Sequence, residues 1–395
     1  MGTSTDLFDL ARARFTDWLE KLEAVVEETL IPNEDRLNDV DGVPDDLAQP
    51  LKDFGLFGLT IPARYGGLEL PMTEQCKAMI AVTRASACYR ARFSTTVGLS
   101  AQAILLNGTP DQCETYLPKL ARGEWTSAFA LTEEAAGSDA TNVQTTARRD
   151  GNGYVLNGTK RYITNSNIAD LFVVMARMDE TRRGADGISA FLVERGTPGL
   201  FVGEVDPKMG QAGGPTAPMR FEDCRIPGSA LLGGVEGQGF KNAMGGINTA
   251  RLHVACTCVG QAERLTREAL DYALTREQFG KPVAEHQLVG AMLADCRTET
   301  FAARAMIMDV AQRFTHPPSR ELAADIACAK YFGSEMVCRV ADRAVQVLGG
   351  QGYLRSHPIE RLYRDVRLFR LFEGTSQIQQ ITIARSMIRG ARKPS

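Results

Sequence analysis

The stretch Leu371-Phe372-Glu373-Gly374-Thr375-Ser376-Gln377-Ile378-Gln379-Gln380 carries the most pointed chemistry in the chain. Thr375 and Ser376 are good helix caps, and Ile378, Ile381, Ala384 and Ile388 then recur on one helical face. Glu373 therefore stands just ahead of a helix, on a turn that Gly374 frees, beside Leu371 and Phe372. A carboxylate among apolar neighbours is poorly solvated; its pKa rises and it becomes a usable base near neutral pH. By itself the stretch equally describes an acidic residue favouring a helix N-terminus. Two more segments have site-like chemistry: Phe129-Ala130-Leu131-Thr132-Glu133-Glu134-Ala135-Ala136-Gly137-Ser138-Asp139 and Asn157-Gly158-Thr159-Lys160-Arg161-Tyr162-Ile163-Thr164-Asn165. Their hydroxyls, backbone N–H groups and one aromatic could frame a flat heteroaromatic ring at two strand ends. Each segment alone is also ordinary β-turn and core material.

Other chemistries find little support. A formal charge of -3 and a pI near 6.0 give no basic field, so no nucleic-acid partner is expected. The nine cysteines are scattered without a C-x-x-C pair or a nearby histidine cluster, which reads as reduced thiols in a cytoplasmic protein and no metal site. His253, His316 and His357 are isolated. The first thirty residues are acidic and helical, with no continuous apolar run. Neither a signal peptide nor a membrane span is expected there.

The elements that must position these residues fall into three blocks, an α+β arrangement. Residues 1–125 read as a helical domain: Leu7, Leu10, Ala11, Phe15, Trp18 and Leu19 form one stripe, Pro44 opens a helix, and Thr109-Pro110-Asp111 opens another. Residues 126–236 read as a β domain, a sandwich or small barrel. Its short runs include Ser127 to Leu131, Val143 to Arg148, Tyr154 to Leu156, Lys160 to Ile163, Leu171 to Ala176, Ile188 to Val193 and Met219 to Phe221. They are separated by turns such as Asp150-Gly151-Asn152-Gly153 and Asn157-Gly158. Residues 237–395 read as a four-helix bundle built from Gly245 to Thr275, Val283 to Phe314, Ser319 to Val347 and Thr375 to Met387.

Taken together, the motifs resemble those of the acyl-CoA dehydrogenase family. They are Thr132-Glu133-x-x-Ala-Gly-Ser-Asp139, Asn157-Gly-x-Lys-x-x-Ile-Thr-Asn165, Arg276-Glu-x-Phe-Gly-Lys281 followed by His286-Gln287, Gln346-x-x-Gly349-Gly350, and Phe372-Glu-Gly-Thr375. The resemblance spans essentially the whole chain. It implies FAD held between the domains, an acyl-CoA substrate, and a homotetramer in which one subunit helps complete another's FAD site. It further implies an electron-transferring flavoprotein as acceptor and a place in fatty acid β-oxidation. By position, Phe129, Leu131 and Thr132 would line the flavin, Tyr162 would stack near it, and Thr164 would reach toward N5. Ser138 would touch the pantetheine chain. Arg276, Gln278, Phe279, His286 and Gln287 would meet the FAD pyrophosphate and adenosine, where an arginine fork suits a diphosphate. Gln346, Gly349 and Gly350 would approach a neighbouring subunit's FAD, and Thr375 and Gln377 would add contacts. Glu373 would remove the α-proton while the β-hydride passes to the flavin, giving a trans-2-enoyl-CoA. The thioester carbonyl would be polarised by the Glu373 backbone N–H and a flavin ribityl hydroxyl, with Gly374 beside it.

Several departures bear on the substrate. One group of relatives carries its base before the arginine that corresponds to Arg251; here that residue is Ala250, which cannot be a base. Arg251 matches a residue near the CoA moiety, and Asn248 stands where several relatives have Asp. Glu134 replaces a usual Pro, and Tyr162 the commoner Trp. Tyr89-Arg90, followed by Ser94, resembles the glutaryl-CoA dehydrogenase site, where the arginine holds a distal carboxylate; a solvated surface arginine is the other reading. A flavin oxidase or monooxygenase on the same fold is a second enzyme class, and the presence of Glu373 argues against it.

Overall fold

The computed structural model describes residues 4–38, 40–178, 181 and 184–392. The first block holds α1 (Ser4–Ala13), α2 (Phe15–Val25), α3 (Asp45–Asp53), α4 (Met72–Val82), α5 (Ala87–Thr95), α6 (Ala101–Asn107) and α7 (Pro110–Ala121). The stripe from Leu7 to Leu19 is interrupted at Arg14, so it becomes two helices instead of one. Thr109 and Gln112 close α7 with a reciprocal capping box, and Pro110 occupies its first turn. α5 and α6 run into one another through a π-helical turn, Thr96–Ser100.

The middle block is one mixed sheet of seven strands: β1 (Ser127–Ala130), β2 (Thr146–Asp150), β3 (Gly153–Thr164), β4 (Leu171–Arg177), β5 (Ile188–Glu194), β6 (Leu200–Val202) and β7 (Thr216–Pro227). β1 pairs with β4 in parallel, and β5 lies antiparallel along the other edge of β4. The turn expected at Asn157-Gly158 is absent, and β3 is continuous across it. Asn157 spends its side chain on β7 instead: the Asp223 N–H donates to its Oδ1 at 2.8 Å, and its Nδ2 donates to Asp223 Oδ1 at 3.2 Å. Gly158, at φ +147°, marks a shift of register there, because any Cβ would lie 2.6 Å from Thr145 Cα. Residues 143–145 precede β2 and are not strand. β6 had no separate signal; two of its three residues are only partly buried and Phe201 is exposed.

The last block opens with α8 (Gly239–Thr275), one helix of 37 residues, about 55 Å long. A small hairpin, β8 (Glu277–Gln278) with β9 (Lys281–Pro282), reverses the chain into α9 (Gln287–Gln312). Then come α10 (Arg320–Leu348), α11 (Pro358–Val366) and α12 (Ser376–Ala391). α8, α9, α10 and α12 form the expected bundle. The first and last blocks share one continuous apolar core, from Trp18, Leu22 and Phe93 to Leu252, Val259, Ile326 and Phe369. One expectation fails on α12: Ile381 and Ile388 are exposed at 44% and 52%, so the periodic face does not point into this chain's core.

Candidate active site

Glu373 sits between α11 and α12 with φ +54°, followed by Gly374 at φ +88°. Two successive left-handed residues reverse the chain sharply, and a non-glycine residue holds such a conformation at a cost that its surroundings must offset. The surroundings are visible. Arg251 Nε of α8 and Gln379 Nε2 of α12 both donate to the Glu373 carbonyl at 3.1 Å. Lys330 Nζ of α10 donates to the Gly374 carbonyl at 2.8 Å, and Gln379 Nε2 does so at 3.0 Å. The Thr375 hydroxyl caps α12 by accepting from the Ile378 N–H at 3.3 Å. Ser376 donates to Glu335 at 2.6 Å, and Arg370 donates to the same oxygen at 2.8 Å. Three helices thus fix the turn.

Burial pushes the Glu373 carboxyl above the usual carboxylate range, and the cations of Arg90, Arg251 and Lys330 oppose that rise. Arg90 is 5% exposed, so the surface reading of this residue is overturned. Its guanidinium lies 5.8 Å from the centre of the Phe372 ring, its Nε is buried without a hydrogen-bond partner, and Glu373 is its foremost charged neighbour.

The strand-end residues form a shelf that α5 connects to this turn. The Arg161 N–H donates to the Thr132 carbonyl at 2.9 Å, which brings the end of β1 against β3. Phe129, Leu131, Thr132 and Thr164 are half-buried there, while Tyr162 is 62% exposed at φ +58°. A half-buried apolar shelf with two threonine hydroxyls and one exposed aromatic ring fits a flavin ring. α5 joins the shelf to the carboxylate. Its Thr95 hydroxyl donates to the Ser127 carbonyl at 2.7 Å, its Ala91 carbonyl accepts from Asn165 Nδ2 at 2.8 Å, and it also carries Arg90. Ser138 is exposed in the loop after β1.

Two residues that the motifs contain, but whose role sequence reasoning missed, hold the shelf from behind. Lys160, fully buried, donates to Glu133 at 2.6 Å, to the Met175 carbonyl at 2.6 Å and to the Leu131 carbonyl at 3.3 Å. Glu133 in turn accepts the N–H groups of Gln144 and Thr145 at 2.6 and 3.0 Å. Their spacing in the two motifs was the available signal. Lys330 and Gln379 were also missed; Lys330 is the lone cation between Ile326 and Met336.

The candidates on the hairpin and at the far end of the bundle do not join this site within one chain. Arg276, Gln278 and Phe279 lie on the β8–β9 hairpin, about 37 Å along α8 from Arg251 at 1.5 Å per residue. There the Gln278 carbonyl lies 3.0 Å from His286 Nε2, Phe279 packs edge-on to His286, and Phe279 is 94% exposed. Because α8, α9 and α10 alternate in direction, Gln287, Gln346, Gly349 and Gly350 lie at that same end, all of them exposed. Gly349 ends α10 at φ +59°. Asn248 is half-buried, one turn before Arg251, and Gln377 is exposed.

Family models described as acyl-CoA dehydrogenase N-terminal, middle and C-terminal domains match residues 16–124, 128–224 and 237–388. The chain belongs to the acyl-CoA dehydrogenase family. Acryloyl-CoA reductase (NADH) of Anaerotignum propionicum is 39% identical over 386 residues, 96% of each chain. Butyryl-CoA dehydrogenase of Megasphaera elsdenii superposes with a TM-score of 0.90 at 33% identity, covering 95% of this chain and 98% of that one. A chain in the structure of the electron transferring flavoprotein of Acidaminococcus fermentans gives 0.90 at 35%, covering 94% and 97%. The protein is accordingly an FAD-dependent oxidoreductase acting on a CH–CH bond. Among the described residues no helix is long and apolar enough to cross a membrane, and no group of three or more His, Cys, Asp or Glu is placed to hold a metal.

Proposed function

We propose that the protein interconverts a saturated acyl-CoA thioester and its trans-2-enoyl-CoA, with Glu373 as the acid–base residue. The observation that carries this reading is the Glu373 carboxyl itself, half-buried, desolvated enough to be pushed above the ordinary carboxylate range, and held in a left-handed turn. In the oxidative direction Glu373 takes the α-proton. Its backbone N–H is the donor offered to the thioester carbonyl, whose polarisation makes that proton removable. A bound FAD would supply the acceptor for the β-hydrogen, taken as hydride. Phe129, Leu131, Thr132, Tyr162 and Thr164 would hold its ring, and Ser138, Asn248, Arg251 and Gly374 would lie along the thioester. In the reductive direction, the one named for the Anaerotignum relative, the protonated carboxyl returns the proton. Electrons would be exchanged with an electron-transferring flavoprotein, and β-oxidation in the cytoplasm is the setting that goes with the oxidative direction.

A second copy of the chain would supply Arg276, Gln278, Phe279, His286, Gln287, Gln346, Gly349 and Gly350 to the far end of the cofactor. Thr375 and Gln377 would assist from the near side. The roughly 37 Å between the two groups supports sharing between copies within a homotetramer.

Arg90 carries a second, narrower reading of the substrate class. Its Nε is buried without a hydrogen-bond partner even though Glu373 lies nearby, which leaves a donor that a second anion could take. An acyl group ending in a carboxylate, as in glutaryl-CoA, would supply one. Anaerobic titration with butyryl-, isobutyryl-, octanoyl- and glutaryl-CoA, followed by flavin absorbance, tests both readings. One thioester should bleach the flavin, and Glu373→Gln should slow that bleaching by at least about 10²-fold. Bleaching by glutaryl-CoA that Arg90→Met abolishes would establish the dicarboxylic class. Fully loaded enzyme that none of the four bleaches would refute the dehydrogenase reading for these substrates.

A further inference from the structure

Lys330 is a buried ammonium on the core side of the Glu373 turn, and it stands in an otherwise apolar helix face among Ile326, Ala327, Ala329 and Gly333. It has three N–H donors, yet among the described residues its hydrogen bond to the Gly374 carbonyl is the one it makes. A buried charge with a single carbonyl partner is expensive, and a leucine or methionine would fill the same space without that cost. Something else must offset it. The charged and titratable groups facing Lys330 are Cys258 and Arg251 of α8, Glu335 of its own helix, and Glu373. Glu335 is occupied by Ser376 and Arg370, and burial pushes the Cys258 thiol well up, which leaves it neutral. Arg251 repels the ammonium. Glu373 is therefore the anion that the ammonium faces. Burial pulls Lys330 down to about 8, so it remains protonated at neutral pH.

We propose that Lys330 is a positioning residue for the base: from the core side its ammonium ties down the Gly374 carbonyl and supplies a counter-charge to the Glu373 carboxylate. The inference rests on Glu373 being the base. It divides the three cations around that carboxyl by task. Arg251 holds the Glu373 carbonyl; Arg90 of α5 faces the carboxyl across Phe372, with His253, Cys256 and Cys258 of α8 around it; and Lys330 holds the carbonyl of the following residue. With the turn's two carbonyls directed inward onto these donors, the carboxyl is left to face the thioester.

Two substitutions separate the hydrogen bond from the charge. Lys330→Gln keeps a donor for the Gly374 carbonyl and removes the charge, whereas Lys330→Met removes both. The four thioesters named above serve as probes of the FAD-loaded protein, and bleaching rates are followed from pH 5 to 9. Oxidation requires ionised Glu373, so its rate falls as pH drops through the carboxyl's pKa. Loss of a counter-charge raises that pKa; in both variants the acid limb should move to higher pH by about one unit or more. Lys330→Met should in addition exchange the amide hydrogens of residues 373–376 faster than wild type, a readout that needs no substrate, while Lys330→Gln should not. An unmoved acid limb in both variants, together with unchanged exchange, overturns the inference while leaving Glu373 as base. If Glu373→Gln bleaches at the wild-type rate, the base reading falls and this inference falls with it.

Discussion

Glu373 and two other candidate residues, Tyr162 and Phe279, are among the few non-glycine residues with positive φ in the described chain. Such backbone is held only where neighbours over-determine it, and here the neighbours are visible for Glu373: donors on α8, α10 and α12 converge on two carbonyls. Gly374 completes the device because an added Cβ would lie 2.7 Å from Gln379 Nε2 and 3.3 Å from an Arg251 nitrogen. Gly374→Ala should therefore lower stability by about 1–2 kcal/mol, measured by urea unfolding, and slow flavin bleaching more than its loss of stability accounts for. Wild-type stability with unchanged bleaching would show that the clasp around the turn is slack. With Glu373 as the base proposed above, oxidation should weaken as pH falls through its raised pKa, and reduction of an enoyl thioester should weaken as pH rises through it.

The shelf owes its shape to a buried ion pair between strands. Lys160 and Glu133 tie the end of β1 to β3, β4 and the residue 144–145 segment, and Glu133 is held below its ordinary range by Lys160 and its N–H donors in spite of burial. Lys160→Met would leave Glu133 buried without its cation, a loss of about 3–5 kcal/mol. The double variant with Glu133→Gln should recover a large part of that loss, and a thermal-unfolding cycle over the four proteins measures the coupling. Equal losses in the single and double variants would place the cost in packing instead. These elements also show what could be read from sequence. Helix caps, glycine turns and apolar stripes act within a few residues, so α7, α10, α12 and most strands follow from composition alone. Asn157-Gly158 did not, because an asparagine that closes a hairpin and one that reaches across to Asp223 look identical along the chain. Lys330 stayed hidden for the same reason: its partner is forty-four residues away and is a backbone carbonyl. The turn at Glu373 was legible because its signal, an acid before a cap and a helix, is local.

At the scale of the molecule, the candidate residues form two groups at separate places on one rod. If a second copy completes each cofactor site, FAD retention depends on association. Dilution of the loaded protein should release FAD, seen as rising flavin fluorescence, at the concentration where light scattering reports dissociation. Arg276→Ala should release FAD at higher protein concentration than wild type, with its helical circular dichroism intact. Release that is independent of protein concentration would mean that one chain holds the cofactor alone. α8 links the groups because it carries Arg251 and the hairpin of Arg276 on a single uninterrupted helix. The rod therefore transmits angular phase. One residue inserted between them would rotate the hairpin by about 100° relative to the base turn, whereas four would bring it back to within roughly 40° of register at the cost of about 6 Å of reach. Descendants of this chain can vary its loops in single steps, but they can lengthen α8 only in whole turns.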